Sequence, residues 1–536
     1  MLETVAQPAP LRCGGDTIPN LSERGAGRAS FSDARQAFFQ GDFERCMSLC
    51  ESLRPTDEMA RFEVALVRAR VLLRLDRPDK AIDALRGCAY TPLDADAFVS
   101  AEMLLGAAYV RLDQVPRGVS ILERAYAEKR ALHETVRAEV SLNYGIARYI
   151  QGRMEEAEGL LSSVPSSADI IHARAQEYLG WHAYSRSDFH ASAAAFRAAL
   201  ACIDRCKHRD RFVEANVLQG LSSVCPELLQ ADDWHDVERR IRSFDWTANG
   251  LSKPLFWTAL NASIMCELIG EAAAAREWVR TAENATREPG RILMAQCRMA
   301  ALFESIGERE AQLEFVDRAQ DLYQTVSLRD LSAEMRQVPL CLAEALISVG
   351  ELAPAHRLVQ QYRDVVAPIP RKAFAEGRLA AFENSVDAAL LEASGQKAAA
   401  IRLYEASFAA FDGSGLRRRA CVVAHRLAKL TGESRYVDYM RAALASVPRY
   451  WLAVEVATPE RETTLRLSRG QADILDLVAE GKTYKEIGAL RGGSWKTARN
   501  LVHTLFRKFE VRSKGELVAA AARRGLLDRS AKDSSE

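Results

Sequence analysis

No stretch of the 536 residues approaches eighteen consecutive uncharged apolar side chains, the length a helix needs to cross a bilayer, so no membrane-spanning segment is expected. Met1 to Leu11 have neither a basic start nor a long apolar run, so no secretory signal is expected and the cytoplasm is the expected location. The eleven cysteines are odd in number, scattered and without a C-x-x-C pair, which argues against a disulfide framework or a zinc ribbon. Cys202, Cys206 and His208 come nearest to a ligand cluster, and Cys46 and Cys50 share a helix face, but both groups sit at packing positions of apolar helices. No metal and no cofactor is expected. A phosphate loop is also missing: Gly481-Lys482-Thr483 looks like its end, yet the Gly required five positions earlier is Asp476. No constellation of catalytic side chains is visible, and enzyme activity is not expected.

What is present is helix after helix, in an otherwise ordinary composition of 48% hydrophobic and 27% charged residues. From Phe31 onward a small residue followed by a charged or polar one recurs, at Gly41-Asp42-Phe43, Asp76-Arg77-Pro78, Asp113-Gln114-Val115, Gly152-Arg153-Met154, Ser187-Asp188-Phe189 and Asp232-Asp233-Trp234. It continues at Gly270, Gly307, Gly350, Gly395 and Gly432, with intervals of 35 to 45 residues. Such a period means an array of helical hairpins. Ahead of the turns stand Leu105-Gly106-Ala107-Ala108-Tyr109, Tyr144-Gly145 through Tyr149, and Leu179-Gly180 through Tyr184. These resemble the L-G-x-x-Y core of the tetratricopeptide repeat, in which Gly or Ala lets the two helices of a hairpin approach; the likeness is specific for roughly 31–200 and rests on period and turn alone beyond residue 228. Stacked hairpins curve into a superhelix with a concave groove. That groove is the expected seat of a protein, peptide or small-molecule effector. Trp181, Trp234, Trp257 and Trp278 are expected in the core, and Arg417, Arg418 and Arg419, after the Gly413–Gly415 break, on a solvated helix start.

The last seventy residues differ in character. Ser468 with Gln471, Thr483 with Glu486 and Ser513 with Glu516 have the spacing of capping boxes, Ser494 is a further N-cap, and Gly481, Gly492 and Gly525 stand where helices stop. Four helices are predicted. In the third, Ala498, Leu501, Val502, Leu505, Phe506 and Phe509 form one buried stripe. The opposite face carries Lys496, Arg499, Asn500, His503, Arg507 and Lys508, with no acid before Glu510. Residues 464–530 contain fourteen Lys plus Arg against seven Asp plus Glu, a balance of +7; the rest of the chain carries −7, so the overall zero hides an asymmetry. Between the second and third helices lie only Gly492 and Gly493 before Ser494, the spacing of a helix-turn-helix.

Those residues bring the stretch to a family. Leu467-Ser468, Ile474-Leu475, Ala479-Glu480-Gly481, Lys485-Glu486-Ile487, Thr497-Ala498-Arg499-Asn500, Phe506-Arg507-Lys508, Val511-Arg512-Ser513, Glu516-Leu517-Val518 and Gly525-Leu526-Leu527 resemble the LuxR-type (GerE-type) four-helix DNA-binding domain. The resemblance implies that Arg499, Asn500 and His503 enter the major groove of double-stranded DNA, while Lys485, Lys496, Thr497, Arg507 and Lys508 contact phosphates. Arg suits guanine and Asn adenine in bidentate pairing. It also implies that the last helix dimerises the domain, with Leu517, Val518 and Ala521 as the apolar strip of a homodimer on DNA; the other reading of that strip is packing within its own domain. The chain departs from the family at Arg491 and Gly493, where the family has apolar residues, and at Trp495 and Leu501.

The expected fold class is all-α: a loose tail over 1–30, a tetratricopeptide-like helical-hairpin superhelix over 31–445, a linker over 446–463 broken by Pro448 and Pro459, a LuxR-type helix-turn-helix domain over 464–530 and a tail over 531–536. The expected function is transcription regulation through that domain, under control of the effector in the array; the opposite charge of the two parts permits electrostatic masking. The alternative is a scaffold or anti-activator whose helix-turn-helix binds protein, RNA polymerase or another regulator, rather than DNA.

Overall fold

The computed structural model describes residues 28–55, 57–86, 95–128, 132–206, 209–247, 251–331, 335–367, 373–457, 469–492, 494–509, 511, 513–523 and 527. Every regular element among them is a helix. The chain divides between Ala457 and Thr458 into two compact units. The expected tails fall outside the described residues except for 28–30, which begin helix Arg28–Phe39.

Eleven helical hairpins follow one another among the described residues of the first unit, from Arg28–Phe39 with Phe43–Ser52 to Arg417–Thr431 with Ser434–Ala443. The recurrent turns are what make them. Gly41, Asp76, Asp113, Gly152, Ser187, Gly270, Gly307, Gly350, Gly395 and Gly432 all have positive φ. A left-handed residue lets the next N–H reach back to a carbonyl five residues earlier, as Asp42 does to Ala37, Arg77 to Leu72 and Asp188 to Ala183. The side chains of Asp42 and Asp188 then cap the following helix, accepting from the amides of Arg45 and Ala191. One short turn therefore stops one helix and starts the next. The sixth turn departs from the pattern: Asp232 is not left-handed, and the role passes to Leu229, a buried residue at φ 53 that ends Arg211–Leu228 three positions early.

The small residues of the repeat core set the helix spacing. A Cβ on Gly106 would lie 2.7 Å from Leu122, and one on Gly145 3.0 Å from Leu161. The ring of Phe196 is wedged between Gly180 and Gly220, where added Cβ atoms would come within 2.7 and 2.3 Å of it. Trp181, Trp234, Trp257 and Trp278 are buried in the core, as expected.

The array also turns back on itself. Arg74, in Glu58–Arg74, pairs at 2.8 Å with Asp210, and Arg70 pairs at 3.1 Å with Glu139, both pairs fully buried. Further along, the Arg378 guanidinium reaches the Tyr184 carbonyl at 2.9 Å, Ser446 donates to the Leu229 carbonyl, and Gly270 lies against Arg449. Side chains thus meet across the array between hairpins two to five repeats apart. The expected linker is helical in its first part, Trp451–Ala457, and Tyr450 and Leu452 are buried in the core of the first unit. Two bulky side chains with an apolar face to cover outweigh the interruption at Pro448. Residues 458–463 lie outside the described residues.

The second unit has helices Arg469–Ala479, Tyr484–Leu490, Trp495–Phe509 and Lys514–Arg523 around a core of Ile474, Leu475, Val478, Ile487, Ala498, Val502, Leu505, Phe506, Phe509, Leu517, Ala520 and Ala521. The capping box at Thr483 is complete: its hydroxyl accepts from the Glu486 amide and its own amide donates to the Glu486 carboxylate at 2.7 Å. Those hydrogen bonds hold Glu486 below the usual carboxylate range. At Ser513 the Glu516 amide donates to the Ser513 hydroxyl at 3.2 Å. Ser468 and Gly525 lie outside the described residues.

Candidate nucleic-acid interface and effector cavity

The turn at 491–494 sets the second unit's exposed face. Gly481 and Gly492 are left-handed, as helix stops require. A Cβ on Gly488 would come within 3.0 Å of the Ser494 backbone and the Trp495 amide, so Tyr484–Leu490 crosses the start of the long helix at backbone contact. Arg491 is not a lost apolar contact: it bonds Asp473 at 2.9 Å and ties the turn to the first helix. Both partners are well exposed, and such a pair stabilises little by itself.

On Trp495–Phe509, the sequence-predicted residues Lys496, Arg499, Asn500, His503, Arg507 and Lys508 are all exposed, and Lys485 is exposed on the preceding helix. Thr497 lies in the helix. The spacing of 496, 499/500, 503 and 507 places these side chains on one stripe opposite Ala498, Val502, Leu505 and Phe509. His503 stands edge-on to Phe506, with centroids 5.3 Å apart, and Lys508 donates to Gln471 at 2.8 Å while staying exposed. Chemically this is a cationic ridge with amide and imidazole donors at its middle. It suits phosphates flanking a groove and base edges within it.

One expectation in this unit needs correction. Leu501 is not in the core but 38% exposed, because the buried stripe is narrower than its apolar spacing and no helix among the described residues covers that edge. In the expected dimerisation strip, Leu517 and Ala521 are fully buried in the unit's own core and Val518 is half-buried against it. For Leu517 and Ala521 this is the other of the two readings, packing within their own domain.

The first unit holds the second candidate site, a cavity of about 370 Å³ lined by the first helices of successive hairpins, Ser252–Leu268, Pro289–Ser305, Val338–Val349, Ala373–Ala393 and Arg417–Thr431, with Tyr450, Trp451 and Glu455 at one end. Its lower wall is Ile264, Val386, Ala389 and Val422. Its polar part is a set of ion pairs. Arg298 bonds Glu267 at 2.5 Å and Ser263 at 2.9 and 3.0 Å. Arg419 bonds Glu344 at 3.1 Å and lies over the Phe382 ring. His425 faces Glu455 at 3.1 Å, and Lys429 lies 3.0 Å from the same carboxylate.

Burial shapes the charges here. It pushes the Glu344 carboxyl up to about 7, against the pull of Arg418 and Arg426, and brings Arg419 down to about 9. It also lowers His425, against the pull of Glu455. Arg418 and Arg419 were expected on a solvated helix start; they are buried, and only Arg417 is exposed. The run of three arginines after a glycine-rich break was the signal, but the direction each points depends on the closure of the array. A second hollow, of about 700 Å³, has Asp204, Glu214 and Arg240 on its wall, bonded to one another: Arg240 takes both Asp204 oxygens at 2.8 and 2.9 Å and Glu214 at 2.7 Å.

Among the described residues one group has the compactness of a metal site, Glu238, Cys266 and Glu271. Its Glu238 already accepts from Trp278 at 3.0 Å and pairs with Arg242 at 2.8 Å. Cys206 donates to the Cys202 carbonyl and burial pushes its thiol up to about 11; His208 lies outside the described residues. Cys46 and Cys50 are buried in helix Phe43–Ser52. Among the described residues no helix is long and apolar enough to cross a membrane.

No protein-family model and no curated protein matches the sequence. Among solved structures the chain is similar to a Rap protein complexed with competence and sporulation factor, at 12% identity over 75% of this chain and 99% of that one, with a TM-score of 0.43. It is similar to the apo form of the quorum sensor NprR from B. thuringiensis, at 12% identity over 75% and 98% with a TM-score of 0.33. The human IFIT1 dimer with m7Gppp-AAAA is also similar, at 12% identity over 85% and 100% with a TM-score of 0.39.

Proposed function

We propose that this protein is a transcription regulator that binds double-stranded DNA through helix Trp495–Phe509 and is controlled by an effector held in its helical-hairpin array. The observation that carries the DNA reading is the exposed ridge of Lys496, Arg499, Asn500, His503, Arg507 and Lys508 opposite a fully apolar stripe. No acid interrupts residues 495–509, so the ridge has no internal counter-charge along its helix. The resemblance of this unit to LuxR-type domains supports the same reading. For the array, the support is a cavity of small-molecule size with buried charges facing it.

A second reading is favoured by one observation. Leu490, Trp495 and Leu501 are exposed at 63, 45 and 38%, an apolar edge around the turn that suits a protein surface such as that of RNA polymerase. A gel-shift titration of the full chain against genomic fragments over a salt series separates the two. Phosphate binding loses affinity steeply as salt rises, in proportion to the phosphates neutralised. Affinity indifferent to salt, or no retarded fragment at low salt, rejects the DNA reading.

A further inference from the structure

We propose that Trp495 reads sequence in the DNA met by helix Trp495–Phe509, its indole packing on the C5-methyl group of a thymine next to the base that Arg499 contacts. This rests on the DNA reading above and names one base that the site prefers.

The indole is bare where most of its kind are covered. Trp495 is the one exposed tryptophan of the seven in the chain; Trp181, Trp234, Trp257 and Trp278 are buried, and Trp246 and Trp451 are half-buried. Among the described residues it stacks on no other ring and no cation lies over it. Its backbone, by contrast, is held in place, because Gly488 of the crossing helix packs directly on the Ser494 carbonyl and the Trp495 amide. A fixed base under a large ring with few rotatable bonds loses little freedom on binding, which suits a contact surface.

Position selects DNA for this side chain. Arg499 follows one turn later, about 40° around the helix axis, and Lys496 is the next residue; both are exposed, and no acid occurs within 495–509. Leu501, the other large exposed apolar residue of this helix, lies about 160° around from Arg499, so a partner seated on the cationic ridge covers Trp495 and leaves Leu501 out. Side chains on a helix lean toward its start, and Trp495 is the first helical residue, so the indole projects ahead of Arg499. In a helix-turn-helix the opening residues of the second helix are the ones that meet base edges. The thymine methyl is the apolar group that the major groove displays, and it matches the one large apolar side chain on the ridge. The chain departs from the LuxR-type pattern at this position, so the preference would belong to this protein and not to the family at large.

The test uses the full chain and a duplex selected from genomic fragments by gel shift at low salt, trimmed to the shortest length still retained. Each thymine is replaced in turn by deoxyuridine, which lacks only the methyl group. The wild-type chain is expected to lose affinity about fourfold at one thymine, the worth of one methyl group removed from water. Trp495→Ala changes an exposed side chain, so its unfolding midpoint stays that of the wild type; it binds the thymine duplex more weakly and is indifferent to the exchange at that position. Trp495→Phe keeps an apolar ring, loses the indole N–H and retains the dependence. Deoxyuridine without effect at every position overturns the proposal, as does an equal effect in the wild type and Trp495→Ala. Loss of the dependence in Trp495→Phe assigns the indole N–H to a phosphate and overturns it too. So does a Trp495→Ala chain with unchanged affinity for DNA and weakened retention of RNA polymerase, which assigns the indole to a protein surface. In all of these the duplex is still bound and the DNA reading stands, whereas a chain that retains no fragment at low salt removes both.

Discussion

The Arg378 guanidinium donates to the backbone carbonyl of Tyr184, 2.9 Å away and 194 residues earlier in the chain. The same group donates to the Ser187 hydroxyl at 2.8 Å and lies over the Tyr184 and Phe189 rings. One long side chain thus joins the start of the tenth hairpin to the turn of the fifth.

Arg378→Ala is expected to lower the stability of the array by roughly 2–3 kcal/mol, the worth of hydrogen bonds to a charged group whose acceptors are then left unsatisfied. Amide exchange should accelerate in Asp169–Ser185 and Arg417–Thr431 and stay unchanged in Lys514–Arg523. Unaltered protection in the first two helices would show that other contacts close the array alone.

Gly220→Ala is expected to cost about 1–3 kcal/mol by overpacking against Phe196, whose ring lies 2.3 Å from where the new Cβ would sit. Pairing it with Phe196→Leu should recover part of the loss. A single substitution without effect on the denaturation midpoint would mean that the wedge relaxes freely.

Arg499→Ala and Lys508→Ala should separate two kinds of contact on the exposed ridge. The first is expected to relax base preference by about 1–3 kcal/mol at one position of a selected site; the second weakens all sequences alike and lowers the salt slope by about one. Uniform losses for both across sequences would refute the assignment of Arg499 to a base.

Glu344 gives the array a pH dependence of known sign. Its folded value, about 7, is above the ordinary 4.5, so its contribution to stability is fully present below about 4.5 and is lost as pH rises through about 7. His425, lowered from 6.5, acts in the reverse direction, its contribution being lost as pH falls through the acid side of that value. Comparison with Glu344→Gln isolates the first effect: the wild-type protein should lose stability relative to the variant between pH 4.5 and 7. Parallel midpoints over that range would contradict a raised carboxyl.

Much of the architecture was legible because it is local. Gly41, Asp76, Asp113 and Ser187 announce their turns through residue types that tolerate positive φ, and the hydrogen bonds they complete span only five residues. Leu229 carries no such signal, since a leucine is left-handed only where surrounding packing imposes it. On Trp495–Phe509 the charged face was readable from helical spacing, whereas Leu501, Leu517 and Ala521 were misplaced or ambiguous because the width of a buried stripe depends on which neighbours cover it.

Taken alone, the amino-acid order determined the succession of hairpins, the four-helix unit near the C-terminus and the segregation of positive charge onto it, all consequences of spacing within one or two helical turns. Tertiary structure decided that Arg378 meets Tyr184, that Arg74 meets Asp210, that Arg418 and Arg419 face inward and that Tyr450 and Leu452 join the core. The reason is that these contacts depend on the rotation accumulated from hairpin to hairpin; small angles add over several repeats, and no local pattern of residues encodes their sum.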